Sequence, residues 1–187
     1  MKQILTYPNL VLRTKTVEVG EVTTALIKEI EELKKILVKS ENGAGLAATQ
    51  IGSVGRFFGL KNLNKKKTEI FINPKIVKTW GEKVYPKIIK DKNKTEDFLE
   101  GCLSFPNYYG TVRRYLKIEV EWMELRTPPM PRLRRASKIL EGFEAIVWQH
   151  EADHLDGILF IDHIKRNGGK LYWWEGETKK EILDPRF

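Results

Sequence analysis

Gln149-His150-Glu151-Ala152-Asp153-His154-Leu155-Asp156-Gly157 is the stretch on which the reading of this chain turns. It contains His-Glu-x-x-His. A helix advances about 100° per residue, so two histidines four apart share one face, and their imidazoles can grip a single metal ion. Glu151 stands between them, beside any water such an ion would hold. Apolar residues at Phe143, Ile146, Val147 and Trp148 extend the helical pattern back toward Leu140, and Gly157 ends it. The chain has only three histidines, and two are spent here.

A catalytic metal of this kind takes three protein ligands and leaves one position open. The metalloprotease extension His-Glu-x-x-His-x-x-Gly-x-x-His matches at Gly157 but has Phe160 at the last His, and phenylalanine cannot coordinate. Glu175 and Glu177 are formally available, but they follow a Gly-Gly break in a polar tail with no helical pattern to hold them. The third candidate is Cys102, the one cysteine of the chain. A thiolate binds borderline or soft divalent ions strongly, and the ion would hold it deprotonated. Gly101 beside it permits close backbone approach, and Glu100 is placed to orient a ligand histidine.

Composition sets the frame for this site. At 187 residues the chain can bury about 70% of the surface it exposes when unfolded, enough for one catalytic domain over 1–187. A single cysteine excludes an internal disulfide framework. No apolar run approaches the roughly 20 residues that span a bilayer, and the opening Met1 to Pro8 is too short and broken for a signal peptide. The expectation is a cytoplasmic protein without membrane contact. The net charge of +8 gathers at Lys65 to Lys67, Lys87 to Lys94 and Arg132 to Arg135. No phosphate loop, zinc-finger spacing or aromatic RNA-binding signature accompanies those clusters, so DNA is not an expected partner and solvated loops are the first reading.

Along the chain, Thr23 or Thr24 can cap a helix whose stripe is Leu26, Ile27, Ile30, Leu33, Ile36 and Leu37, ending before Asn42-Gly43. Arg56 to Leu60 and Glu69 to Ile72 read as strands, with Asn73-Pro74 as a turn. Residues 81–97 read as a basic, insertion-like loop. Leu116 to Trp122 alternates as a half-buried strand, and Thr127 to Pro131 is a break. Ile158 to Ile161 reads as a short buried strand or turn, and a polar tail begins near residue 165. Strands interrupted by two separated helices indicate an α+β fold, with mixed or antiparallel strands packed around a central metal-binding helix.

Three segments taken together resemble the peptide deformylases. Their pattern is Gly-x-Gly-Leu-Ala-Ala-x-Gln, then Glu-Gly-Cys-x-Ser, then Gln-His-Glu-x-Asp-His-Leu-x-Gly. It stands here in order at 43–50, 100–104 and 149–157. The opening Tyr7 to Arg13 is also similar to that family's first segment. The resemblance implies a metal-dependent hydrolase that removes the N-formyl group from the N-terminal methionine of new polypeptides and releases formate. It implies Cys102, His150 and His154 as ligands of one divalent ion, ferrous iron first, with zinc, nickel or cobalt as substitutes. Glu151 matches the acid/base, and Gln50 with the Leu103 backbone N–H matches the oxyanion donors. Ala44, Gly45 and Leu46 match the strand that pairs with an extended peptide, Phe143, Ile146 and Val147 the methionine pocket, and Arg114 an arginine near the substrate. Ala44 stands where a larger aliphatic is common, which would widen the pocket mouth. The basic loops are a candidate contact for the ribosome surface, where such substrates emerge.

Overall fold

Thr23 opens the first helix as a side-chain cap, its hydroxyl accepting from the Leu26 N–H at 3.1 Å. The structure, a computed structural model, describes residues 2–62, 67–91, 94–126 and 131–183. Most of the lysine run at 65–67 and of the proline break at 127–131 lies outside the described residues. Helix α1 is Thr24–Lys39, α2 is Gly142–Leu155 and α3 is Phe160–Asn167. The strands are β1 Gly45–Ala47, β2 Phe57–Asn62, β3 Lys67–Trp80, β4 Lys87–Asp91, β5 Lys94–Asp97, β6 Glu100–Cys102, β7 Phe105–Gly110, β8 Lys117–Arg126, β9 Arg132–Glu141, β10 Leu171–Glu175 and β11 Thr178–Ile182.

These strands form a five-stranded sheet in the order β1-β2-β3-β8-β9, a four-stranded sheet in the order β11-β10-β7-β6, and a two-stranded ribbon β4-β5. Every ladder is antiparallel. This is the expected α+β architecture, and each large sheet carries its own core. One core packs α1 and α2 against the five-stranded sheet through Leu33, Leu37, Phe58, Phe71 and Trp148. Phe71 meets the ring of Trp148 at 4.6 Å and that of Trp122 at 5.2 Å, both edge-on. The other packs α3 against the four-stranded sheet through Phe105, Phe160, Ile161, Ile164 and Leu171.

Helix α2 lies between the two cores. Trp148 faces the first, while the His150 ring approaches Phe160 of the second at 6.2 Å. A helix covered on several sides buries polar and apolar residues alike, so its sequence shows no clean apolar stripe. Gln149 ties it to the strand layer by donating to the Tyr115 carbonyl at 2.8 Å and accepting from the Tyr115 N–H at 3.1 Å.

Several expected connections turn out to be ladders. At Asn73-Pro74 the chain does not turn. Strand β3 runs through it with a bulge between Ile72 and Lys75. Asn73 takes φ +49°, and its side-chain amide pairs with both the N–H and carbonyl of Val19 at 2.8 Å. Proline has no N–H for the ladder, so the irregularity falls where it costs least. Within 81–97 the described residues carry the β4-β5 ribbon rather than a loop. Its lysines alternate with acids across the strands, as in Lys90–Glu96 at 2.8 Å. The basic run Arg132 to Ile139 is β9, an edge strand on which arginines and lysines guard an open ladder edge. Ile158 to Ile161 leads into α3 instead of forming a strand, and the polar tail forms the β10-β11 hairpin. Among the described residues, no helix is long and apolar enough to cross a membrane.

Candidate active site

Cys102 ends β6, and its Sγ lies 3.2 Å from the Nε2 of His154 on α2. The ligand atoms of Cys102, His150 and His154 all fall within 4.8 Å of one another. A soft thiolate and two imidazoles suit ferrous iron, zinc, nickel or cobalt. Helical spacing brings the two histidines together. Bringing Cys102 to them requires the edge of the four-stranded sheet to dock against α2.

Behind His150 stands a chain of alternating charge. Its Nδ1 lies 2.9 Å from the Glu100 carboxylate. Glu100 in turn accepts two bonds from Arg114, at 2.7 and 2.9 Å. Arg114 reaches onward to Asp153 at 2.5 Å, and Asp153 meets His163 at 2.8 Å. Burial pushes the Glu100 carboxyl up, but the Arg114 guanidinium beside it prevails and holds it at about 2. Asp153 is likewise buried, and His163 and Arg114 together bring it to about 2. An ionised Glu100 can only accept, so the Nδ1 of His150 donates, and Nε2 keeps its lone pair for a metal.

Burial raises the Cys102 thiol, and the charges of His154 and His150 beside it overcome that rise, leaving it at about 5. Burial pushes the Glu151 carboxyl up to about 7, against the two histidines, which pull it down. Its Oε2 is buried and has no hydrogen-bond partner among the described residues. A proton acceptor near neutrality with one uncommitted oxygen is what a group that takes and returns a proton needs. Gly45 leaves the space that this carboxylate fills, since a Cβ there would stand 2.7 Å from Glu151 Cγ.

Gln50 lies in a short 3-10 turn, Ala48–Ile51, directly after β1. Its Oε1 accepts from the Ala47 N–H at 2.8 Å, which fixes the amide so that Nε2 points the other way. That Nε2 lies 3.1 Å from Ser104 Oγ and 3.5 Å from Cys102 Sγ. The backbone holding both sides of this contact is clamped by the N-terminal segment, where Leu5 N–H donates to Gln50 O and Tyr7 N–H to Ser104 O.

A cleft of about 490 Å³ opens beside the cysteine. Ala44, Gly45, Cys102, Leu103, Phe143, Ile146, Val147, His150 and Glu151 all line it, as the sequence suggests. Four expected residues do not: Gln50 and His154 are buried and reach the site through their contacts with Cys102, and Leu46 and Arg114 are buried elsewhere. The Leu46 side chain is fully buried with Ala47 in the core beneath the five-stranded sheet, while Ala44 and Gly45 before it line the cleft, so Leu46 can offer a peptide only its backbone. Arg114 is only 2% exposed and is consumed by Glu100 and Asp153, so it cannot meet a ligand in the cleft. Glu175 and Glu177, the alternative ligands, are exposed on the C-terminal hairpin away from the metal-ligating trio. Sequence reasoning missed Phe98 and Tyr109, which also line the cleft, and the Asp153–His163 contact. Asp153 carried a signal, lying inside the quoted motif, whereas Phe98 had none.

Comparison with known proteins gives a consistent result. A family model described as "Polypeptide deformylase" matches residues 1–170. A peptide deformylase of Desulfotalea psychrophila is 32% identical over 185 residues, covering 97% of this chain and 96% of the relative. One of Desulforudis audaxviator is 36% identical over 163 residues, covering 86% and 91%. Among solved structures, the peptide deformylase from Thermotoga maritima superposes with a TM-score of 0.70 at 32% identity, over 87% of this chain and 97% of that one.

Proposed function

This chain belongs to the polypeptide deformylase family, and from that footing we propose how its residues carry out the reaction. The activity is metal-dependent hydrolysis of the N-formyl group on the N-terminal methionine of new polypeptides, with release of formate. Cys102, His150 and His154 hold the ion, which we take to be ferrous iron in the cell. The observation that carries this assignment is the convergence of those three ligand atoms within 4.8 Å. When bound, the ion supplies Lewis acidity and lowers the pKa of water toward neutrality.

The remaining steps belong to the chain's own groups. Glu151 takes the proton of the attacking water, for which its orphaned Oε2 and its pKa near 7 suit it. Gln50 Nε2 and the Leu103 N–H donate to the oxygen that gains charge as the formyl carbon becomes tetrahedral. Each such donor is typically worth about 3 kcal/mol of barrier. Glu151 then returns the proton to the leaving amine as the C–N bond breaks. Arg114 does not touch substrate. It keeps Glu100 ionised, and Glu100 keeps His150 in the ligating tautomer.

The substrate lies between two open sheet edges. β1 ends the five-stranded sheet and β6 ends the four-stranded one, so an extended peptide can pair with backbone on either side. Phe143, Ile146 and Val147 offer the methionine side chain an apolar wall, joined by Phe98, whose ring meets Phe143 at 5.9 Å. We place the enzyme in the cytoplasm, where formylated chains are made, with its basic surface favouring contact with ribosomal RNA. That contact weakens steeply with salt if it is electrostatic.

Formate release from formyl-Met-Ala-Ser, compared among wild type, Cys102→Ala and Glu151→Ala, tests the assignment. Wild type turns over and both variants are silent. Turnover that survives both substitutions would remove the mechanism. Metal content after anaerobic purification decides between iron and zinc.

A further inference from the structure

The family model ends at residue 170, immediately before the β10-β11 hairpin. Yet that hairpin is not a loose tail. β10 pairs with β7, the strand next to β6, placing Tyr172 opposite Tyr109 and Trp173 opposite Tyr108. Tyr109 is opposite Gly101 in the next ladder, so Gly101, Tyr109 and Tyr172 lie in one row on one face of the sheet. Trp174, two residues on, shares that face. Gly101 contributes no side chain, and the Tyr109 ring covers its space, where a Cβ would stand 2.8 Å from the ring. Tyr109 in turn lines the cleft.

Trp174 seats its ring on Tyr109 with centroids 5.8 Å apart and planes at 71°. Its indole N–H donates to the Gly176 carbonyl at 3.1 Å, and Lys179 lies over both Tyr172 (4.2 Å) and Trp174 (5.4 Å). Even so, 41% of Trp174 is exposed. A large ring that is pinned in place and open to solvent loses little freedom on meeting a ligand. Phe98, directly after the β4-β5 ribbon, also lines the cleft.

We propose that Trp174, seated on Tyr109, extends the cleft and binds an apolar or aromatic side chain of the polypeptide beyond its N-terminal methionine. This rests on the cleft being the peptide site. Trp174 meets the cleft through Tyr109, which lines it, and its chemistry is an aromatic face with its polar edge already satisfied, which selects apolar contact. The cation at its rim disfavours a lysine or arginine in the same place.

The test is kcat/KM on formyl-Met-Ala, formyl-Met-Ala-Phe and formyl-Met-Ala-Ala-Phe, for wild type, Trp174→Ala and Trp174→Phe. Wild type is expected to favour at least one longer peptide by about tenfold, the size of one good aromatic contact. Trp174→Ala abolishes that preference and leaves formyl-Met-Ala, which ends short of the ring, within twofold of wild type. Trp174→Phe keeps most of the preference. The proposal is overturned if wild type shows no preference, if Trp174→Ala retains it, or if both variants lose activity equally on all three peptides. Absence of any turnover of formyl-Met-Ala by wild type would instead strike at the proposed function itself.

Discussion

A Cβ built on Gly45 would lie 2.7 Å from both Cγ and Cδ of Glu151. The glycine is therefore a cradle for the carboxylate, and its value is room rather than an unusual backbone angle. Gly45→Ala forces the carboxylate off its position. Displacement of a reacting group by about 1 Å costs on the order of 100-fold in rate. We expect kcat to fall by about that factor while thermal stability changes little, since the flexible end of Glu151 can yield. Steady-state kinetics beside a melting curve separate the two effects. Unchanged kcat would show that Glu151 has slack.

Arg114 satisfies two buried carboxylates, Glu100 and Asp153. Removing it as Arg114→Met leaves Glu100 with only His150 and Asp153 with only His163, and breaking such a network costs about 3–5 kcal/mol. The pH dependence follows from the carboxyls. Glu100 moves from 4.5 to about 2 on folding and Asp153 from 3.8 to about 2, so each depressed pKa adds stability that is full above the unfolded value. That share is lost as pH falls from about 4.5 to about 2. Urea titrations should show wild type and Arg114→Met furthest apart near pH 6 and converging toward pH 2.

Glu151 has the opposite sign. Burial raises it from 4.5 to about 7, so ionising it opposes folding of the metal-free protein. The cost is absent below pH 4.5 and complete above pH 7. A shift of this size corresponds to about 3 kcal/mol at most. Metal-free Glu151→Gln should therefore melt higher than metal-free wild type at pH 8 and equally at pH 4.5. The same variant should lose about 100-fold or more in formate release, because the amide accepts no proton. Equal melting at pH 8 would mean the carboxylate is better solvated than its burial implies.

Metal removal and replacement should read Cys102 directly. Cobalt added to chelator-stripped wild type should bring a thiolate-to-cobalt charge-transfer absorption and a higher melting temperature, because a ligand that binds only the folded state stabilises it. Cys102→Ser should lack the absorption while keeping weaker cobalt binding through the two histidines. An identical spectrum in the variant would remove the thiolate from the ligand set.

Much of the site was legible because its signals are local. The His150–His154 pair follows from helical spacing, Gly157 marks the helix end, and the scarcity of histidine and cysteine narrows the third ligand to Cys102. Thr23 capped its helix as read. Errors fell where neighbours in space are strangers in sequence. Arg114 was expected near substrate, but its charge is spent on Glu100, 14 residues away, and on Asp153, 39 residues away. Leu46 was read for the backbone of its strand, and that its side chain belongs to the core was not legible, since which face of a strand is inside depends on what packs there. The β4-β5 ribbon and the β10-β11 hairpin went unread because β5 and β11 are polar and mostly exposed, and an exposed strand carries no apolar alternation to find.

The sequence by itself determined the chemical set: a thiol, two imidazoles four residues apart, a carboxylate between them and an amide after a small-residue strand. Those follow from residue identity and short-range geometry. Only the tertiary structure decided that the edge of one sheet meets a helix wedged between two cores, close enough for Cys102 Sγ to lie 3.2 Å from His154 Nε2. It also decided that Glu100 and Arg114 stand behind His150 and that Trp174 reaches Tyr109 at the cleft rim. Such contacts depend on the packing of whole elements, whose burial is summed over many side chains, and no local spacing encodes them.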